Sequence, residues 1–123
     1  MNLGTTGTAE IIVTDNLTAK KMGSGDLPVF ATPAMIALME KAANTSMAPF
    51  LEAGQGTVGI SIDVSHLAPS PVGSSIYAKS VLVSIEKRVL TFEVSAFCNN
   101  ELIGKGFHKR AIIDNAKFMS KIR

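Results

Sequence analysis

Residues 32 to 51, TPAMIALMEKAANTSMAPFL, decide how this chain folds. Thr32 suits a helix N-cap and Pro33 suits the first helical turn, where a missing N–H costs nothing. Ala34, Met35, Ile36, Ala37, Leu38, Met39, Ala42 and Ala43 place apolar side chains around nearly the whole circumference, the pattern of a helix buried on most sides. The helix slows at Pro49 and stops by Gly54. Such a helix needs a wrapper. It also carries one carboxylate, Glu40, which sits either on a single solvated edge or in a site that supplies partners for a buried charge.

The wrapper follows the helix. From Thr57 onward the period changes from 3.6 to 2 and stays there. Over residues 57 to 67, Val58, Ile60, Ile62, Val64 and His66 share one face, and Gly59, Ser61, Asp63 and Ser65 share the other. Residues 69 to 73, PSPVG, form a turn, and a long strand runs from Ser75 to Lys87 with a polar far end. Leu90, Phe92, Val94, Ala96 and Cys98 line the buried face of the next strand, and Asn99-Asn100 is a hairpin signal. A last strand covers Glu101 to about Ile113, where Gly104 and Gly106 suggest a bulge or a close approach to the backbone. The tail from Asn115 makes one basic turn of helix. Before the helix, residues 9 to 14 read as a first strand, and residues 15 to 31 read as a mobile loop of the kind that covers a pocket.

One helix and five antiparallel strands joined by short turns are buried most economically when the sheet curls around the helix. The expected class is therefore α+β, a curved antiparallel sheet wrapped around one long central helix, with residues 1–123 forming a single domain. Such a sheet leaves edges open. The row Gly59, Ser61, Asp63, Ser65 would let a second copy approach closely, and a homodimer that extends the sheet would manage one edge.

Composition excludes several classes of function. The 123 residues are 46% hydrophobic and 18% charged, and no apolar run approaches the length that spans a bilayer. No membrane association is expected, and an N-terminus without a basic segment and apolar core points to the cytoplasm. A net charge of +2 is too small to argue for nucleic acid. Lys105, Lys109 and Arg110 read as a solvated basic edge strand that could meet a small anion. Cys98 is the only cysteine, and two histidines without clustered ligand spacing imply no metal and no cofactor.

Thr32, Glu40 and His66 form the one trio that combines a hydroxyl, a carboxylate and an imidazole at the edges of buried elements. Each has an ordinary explanation too: a cap, a solvated edge and a strand-end histidine. His108, between Phe107 and Lys109, reads as structural. On a regular helix Thr32 and Glu40 stand about 12 Å apart along the axis, so one chain does not close the trio. Either the helix start is irregular, or a dimer interface takes Glu40 from one chain and Thr32 with His66 from the other.

Residues 29 to 43, VFATPAMIALMEKAA, and 56 to 73, GTVGISIDVSHLAPSPVG, resemble the hotdog-fold acyl-CoA thioesterases of the fluoroacetyl-CoA thioesterase group, and the likeness extends through Lys109-Arg110 to Phe118. The resemblance implies a hotdog fold, a dimer with two interfacial sites and hydrolysis of small acyl-CoA thioesters. Thr32, Glu40 and His66 match the family's catalytic threonine, glutamate and histidine, and Gly59 and Arg110 match positions associated with the acyl pocket. Where fluoroacetyl-specific members carry phenylalanines before the helix, this chain has Gly23-Ser24-Gly25-Asp26, leaving Phe30 as the nearest aromatic. Two other functions stay open at this point: another hotdog acyl-CoA enzyme, such as a hydratase or dehydratase, and a non-catalytic acyl-CoA binding module.

Overall fold

The computed structural model describes residues 1–122. Five strands form one antiparallel sheet: β1 (Thr6–Ile12), β2 (Gln55–His66), β3 (Ser75–Glu86), β4 (Val89–Cys98) and β5 (Glu101–Asp114). Their spatial order is β1-β3-β4-β5-β2, so β1 and β2 are the edges. Tight turns set the register of the two central hairpins. Asn99 and Asn100 both take positive φ, 50° and 66°, which matches the twist of a two-residue hairpin; Lys87 does the same at 58° between β3 and β4.

The long helix, α2 (Thr32–Met47), lies in the concave face of this sheet, with a 3-10 turn at Ala48–Phe50 replacing the expected last helical turn. The reason is Pro49, which donates no N–H to the helical ladder. Ala34, Met35, Leu38, Met39, Ala42, Ala43 and Met47 are buried, and Phe92, Leu90, Ile76, Leu82 and Ile103 meet them from the sheet. Each fully buried Met or Leu contributes roughly 1.5–3 kcal/mol through apolar surface removed from water. The fit is close enough that a Cβ on Gly104 would collide with Met35, and one on Gly7 with the Ala42 carbonyl. Gly104 also flanks a bulge at Ile103, where the pairing of β4 with β5 skips a residue. Both expectations for this glycine hold.

Several expectations need correction. The helix does not bury nearly its whole circumference: Ala37, Lys41, Asn44 and Thr45 are exposed, and Glu40 stands half-buried at the margin of the buried stripe. Thr32 is not the N-cap. That place belongs to Ala31, and no side chain caps α2. Residues 15 to 31 are not a plain loop: they hold a 3-10 turn at Asp15–Leu17 and a short helix, α1 (Ala19–Met22), closed by Gly23 at φ 82°. Hydrogen bonds from Phe30 N to Ser70 O and from Ala31 N to Leu17 O, both 2.9 Å, pin the end of this segment to the core.

The largest correction concerns β2. Its pairing with β5 runs Gly59↔Arg110 and then Ser61↔Lys109, which leaves Ile60 as an extra, bulged residue. A bulge inverts the alternation beyond it. Ile62, Val64 and His66 keep the helix side, but Thr57 and Gly59 now share it with Arg110, while Val58 turns to the outer face. Ile60 and Ile62 are 52% and 39% exposed on this edge strand instead of closing an apolar row. β5 is also not an edge. It lies between β4 and β2, with Lys105 and Lys109 exposed on the outer face and Arg110 buried on the other.

No described helix is long and apolar enough to cross a membrane.

Candidate active site

Two groups of polar side chains gather at α2. The first is at its N-terminus, where the 15–31 segment meets the end of β2. Thr32 Oγ1 lies 2.7 Å from His66 Nδ1. Because Thr32 is the first helical residue and not the cap, its hydroxyl is free for this contact. Phe30, buried, stands edge-on to the imidazole with ring centroids 6.4 Å apart. A cavity of about 300 Å³ opens here, lined by Thr32, His66, Phe30, Ser24 and Ala68. His66 Nε2 is shielded from solvent and has no hydrogen-bond partner. Burial holds the His66 pKa below 6.5, and the Ala68 backbone, which favours the protonated ring, opposes this without overcoming it. At neutral pH the ring is therefore uncharged, with one N–H and one lone pair to exchange with Thr32.

The second group lies two turns further along α2. Glu40 Oε2 is 3.5 Å from Arg110 Nη1 and 3.9 Å from His108 Nε2. Arg110 is fastened at its other nitrogens: Nε donates to Thr57 Oγ1 at 2.8 Å, and Nη2 donates to the Thr57 carbonyl at 3.1 Å and to Asn44 Oδ1 at 3.4 Å. The Thr57 hydroxyl donates in turn to Asn44 Oδ1 at 2.8 Å. Gly59 completes the arrangement, for a Cβ there would stand 2.5 Å from Glu40 Oε2. A cavity of about 270 Å³ opens beside Glu40, Gly59, Ile60, Ser61, Ile62 and His108 at the β2 edge. The carboxylate is thus neither a merely solvated edge nor a fully buried charge. It is 40% exposed and tied on one side to a buried guanidinium.

The structure brings Thr32, His66 and Phe30 together, and separately Glu40, Gly59 and Arg110. The two cavities share no lining residue, so the trio is not closed within one chain. His108, expected to be structural, is paired at both ring nitrogens. It is buried at 1% exposure, its Nδ1 stands 2.8 Å from the Ser61 carbonyl, and Arg110 Nη1 stands 3.1 Å from its Nε2. A signal for it was present in β5: Gly104, Gly106, His108 and Arg110 alternate with Lys105, Phe107 and Lys109. Such a row of two glycines, an imidazole and a guanidinium on the helix face marks a polar pocket.

Burial also holds the His108 pKa below 6.5, with the Ser61 carbonyl opposing and the Arg110 charge assisting. The unfolded chain then takes up protons that the folded chain refuses once the pH falls below 6.5, so acid favours unfolding. Tm is expected to hold level from about pH 8 to 7 and to decline from about pH 6.5 to 5. A scanning-calorimetry series that stays flat through the acid range would contradict two buried neutral imidazoles.

Comparisons with known proteins bear on the family and the fold. The family profile described as fluoroacetyl-CoA-specific thioesterase matches residues 13–116. A fluoroacetyl-CoA thioesterase of Streptantibioticus cattleyicolor is 44% identical over 95 residues, which cover 77% of this chain and 68% of that protein. A solved structure of the fluoroacetyl-CoA thioesterase FlK superposes with a TM-score of 0.93 at 37% identity, over 100% of this chain and 96% of that one. A mutant of FlK in complex with fluoroacetate and CoA superposes at 0.90 with 36% identity, over 96% and 99% of the two chains. A thioesterase superfamily member of Thermus thermophilus, 28% identical, also reaches 0.90, over 97% and 88%. With its curled five-stranded sheet and single long helix, the chain belongs to the fluoroacetyl-CoA-specific thioesterase family and is a hotdog-fold acyl-CoA thioesterase.

Proposed function

We propose that this thioesterase hydrolyses small acyl-CoA esters to the free acid and CoA at two equivalent sites of a homodimer, each built from Thr32 and His66 of one chain and the partner's Glu40. The observation that carries this reading is the split of the polar groups: a bonded Thr32–His66 couple in one cavity, and Glu40 in another that opens at the unpaired β2 edge. An antiparallel two-fold pairing of β2 with its counterpart, centred at Asp63 and skipping the bulged Ile60, lays His66 beside the partner's Gly59. Neighbouring strands stand about 4.8 Å apart, which brings the partner's Glu40 toward the Thr32 hydroxyl. The same pairing covers the exposed Ile60 and Ile62 and satisfies the open backbone groups of the edge. Each 123-residue chain acts as one domain, and its single unpaired Cys98 suits the reducing cytoplasm.

In the reaction, the partner's Glu40 takes a proton from water as the water oxygen bonds to the acyl carbon. His66 Nδ1–H donates to Thr32 Oγ, whose own O–H points at the acyl oxygen and meets the charge that develops there. This role needs the tautomer with the proton on Nδ1 and the lone pair on Nε2, where no hydrogen-bond partner stands. The positive end of the α2 dipole assists at the same oxygen. When the C–S bond breaks, the CoA thiolate receives the proton that Glu40 holds. Gly59, Phe30 and Arg110 shape the acyl pocket, and the reaction needs no cofactor.

Subunit complementation tests the shared site. Glu40→Gln and His66→Ala chains, each inactive alone, regain activity when mixed and allowed to exchange, because each heterodimer holds one intact site. Statistical mixing yields about a quarter of wild-type kcat per chain. Failure to regain activity, with exchange confirmed by mass spectrometry, places all three groups in one chain and removes this reading.

Specificity follows from the entrance. The segment Met22 to Asp26 offers two glycines and no aromatic wall, and Met22 is 45% exposed. A pocket that is merely apolar separates near-isosteres by only about 1–3 kcal/mol. The expected kcat/KM ratio of fluoroacetyl-CoA to acetyl-CoA is therefore below ~1000-fold. A panel of acetyl-, fluoroacetyl-, propionyl-, butyryl- and aryl-CoA thioesters under one condition measures it, and a larger ratio would mean that selectivity survives without lid aromatics.

A further inference from the structure

We propose that His108 is a positioning residue: as a neutral ring protonated on Nδ1 it accepts a hydrogen bond from Arg110 Nη1 and so aims the guanidinium that holds Glu40. The inference rests on the site reading above, and concerns a residue that reading does not use. Three contacts determine the state of the ring. Its face stacks on Phe92, with centroids 6.1 Å apart and planes 28° from parallel. Its Nδ1 lies 2.8 Å from the Ser61 carbonyl, which only accepts, so the proton is on Nδ1. Its Nε2 lies 3.1 Å from Arg110 Nη1, which only donates, so Nε2 carries the lone pair. The other tautomer would set acceptor against acceptor at one end and donor against donor at the other.

The consequence falls on Glu40. Arg110 Nη1 bonds both to His108 Nε2 and to Glu40 Oε2, while Nε and Nη2 are occupied by Thr57 and Asn44. The guanidinium is thus fixed in its plane by groups on α2, β2 and β5, and His108 supplies the constraint nearest the carboxylate. Proton gain would turn Nε2 into a donor facing a donor and a cation beside a cation. The charged groups against the ring are Glu40 from α2 and Arg110 from β5; β4 contributes Phe92, and β2 the Ser61 carbonyl. Acid therefore pushes Arg110 away from Nε2 and makes the ring itself a cation 3.9 Å from Glu40 Oε2, so the carboxylate is drawn from the guanidinium toward the imidazolium.

Two measurements test this. In the wild-type dimer with nitrogen-labelled histidine, NMR is expected to find His108 Nδ1 protonated and Nε2 bare from about pH 6 to 8. In kinetics, His108→Leu keeps the apolar volume but loses the acceptor. Its kcat is expected to fall about 10- to 100-fold with KM little changed, the size of effect that misplacing a reacting group produces. His108→Gln, whose Oε1 falls near the place of Nε2, is expected to recover at least about tenfold of that loss. A purely structural histidine would instead lower Tm in both variants and leave kcat per folded enzyme alone. A ring protonated on Nε2, wild-type kcat in His108→Leu, or a glutamine no better than leucine overturns the proposal. Should His108→Leu not fold, His108→Asn replaces it, since its shorter side chain misses Arg110 and must be slower than His108→Gln. The NMR result is independent of catalysis: the expected tautomer with a fully active Glu40→Gln would sink the site reading and leave the Arg110 contact standing.

Discussion

Glu40→Gln and His66→Ala are each expected to lower kcat by at least ~100-fold while the protein stays folded, the loss that follows removal of a positioned acid or base. The two substitutions act at different places in one chain, yet both strike the same reaction. Glutamine keeps the shape of Glu40 and one oxygen for Arg110 Nη1, but it cannot take the proton of water at neutral pH. Stability should hardly change, because the carboxylate is 40% exposed and its pairing with Arg110 is partly screened by solvent. Alanine at position 66 removes the partner 2.7 Å from the Thr32 hydroxyl and leaves the hydroxyl free to turn away. Initial rates on acetyl-CoA with free-thiol detection, alongside thermal melts, distinguish lost chemistry from lost fold. Near-normal turnover in Glu40→Gln would return the carboxylate to the role of a solvated helix edge.

Gly59→Ala should be nearly as damaging to turnover and nearly silent in stability. The backbone at Gly59 is not in the left-handed region, so alanine meets no conformational objection there. Its Cβ would stand 2.5 Å from Glu40 Oε2, 3.3 Å from His108 Cε1 and 3.4 Å from Arg110 Nη1. The tightest of these contacts is with the far end of a flexible side chain, which relieves it by swinging outward. That movement carries Glu40 off Arg110. A displacement of about 1 Å at a reacting group can cost on the order of 100-fold, so kcat is expected to fall by about that factor with Tm almost unchanged. Unchanged kcat together with an unchanged melt would show that Glu40 works from another position, or not at all.

Local pattern carried a good deal of this protein. A nearly continuous apolar helix followed by alternating strands is a statement about which side chains must leave water, and it was enough to imply a sheet curled on a helix. Asn99-Asn100 announced its hairpin because few residues tolerate two positive φ angles in succession. The buried row Leu90, Phe92, Val94 and Ala96 lies where alternation puts it. Thr32 and His66 stood out as a hydroxyl and an imidazole at element ends, and the 12 Å to Glu40 followed from helical pitch alone. The resemblance of residues 29 to 43 and 56 to 73 to a thioesterase family carried the activity, which no periodicity contains.

What the sequence determined by itself was therefore the set of elements, the side chains each must bury, and the distance that separates Thr32 from Glu40. Only the tertiary structure decided which strands are edges, where the alternation of β2 inverts, and which cation meets Glu40. Alternation is a local rule, and it runs through Ile60 without interruption. The extra residue at Ile60 becomes visible only when β2 is laid against β5, and it moves Gly59 from the outer row to the helix face. Strand order is likewise set by pairing between residues far apart in sequence. It places β5 inside the sheet, so Lys105 and Lys109 stay in water while Arg110 and His108, one residue out of step with them, are carried under the helix to Glu40.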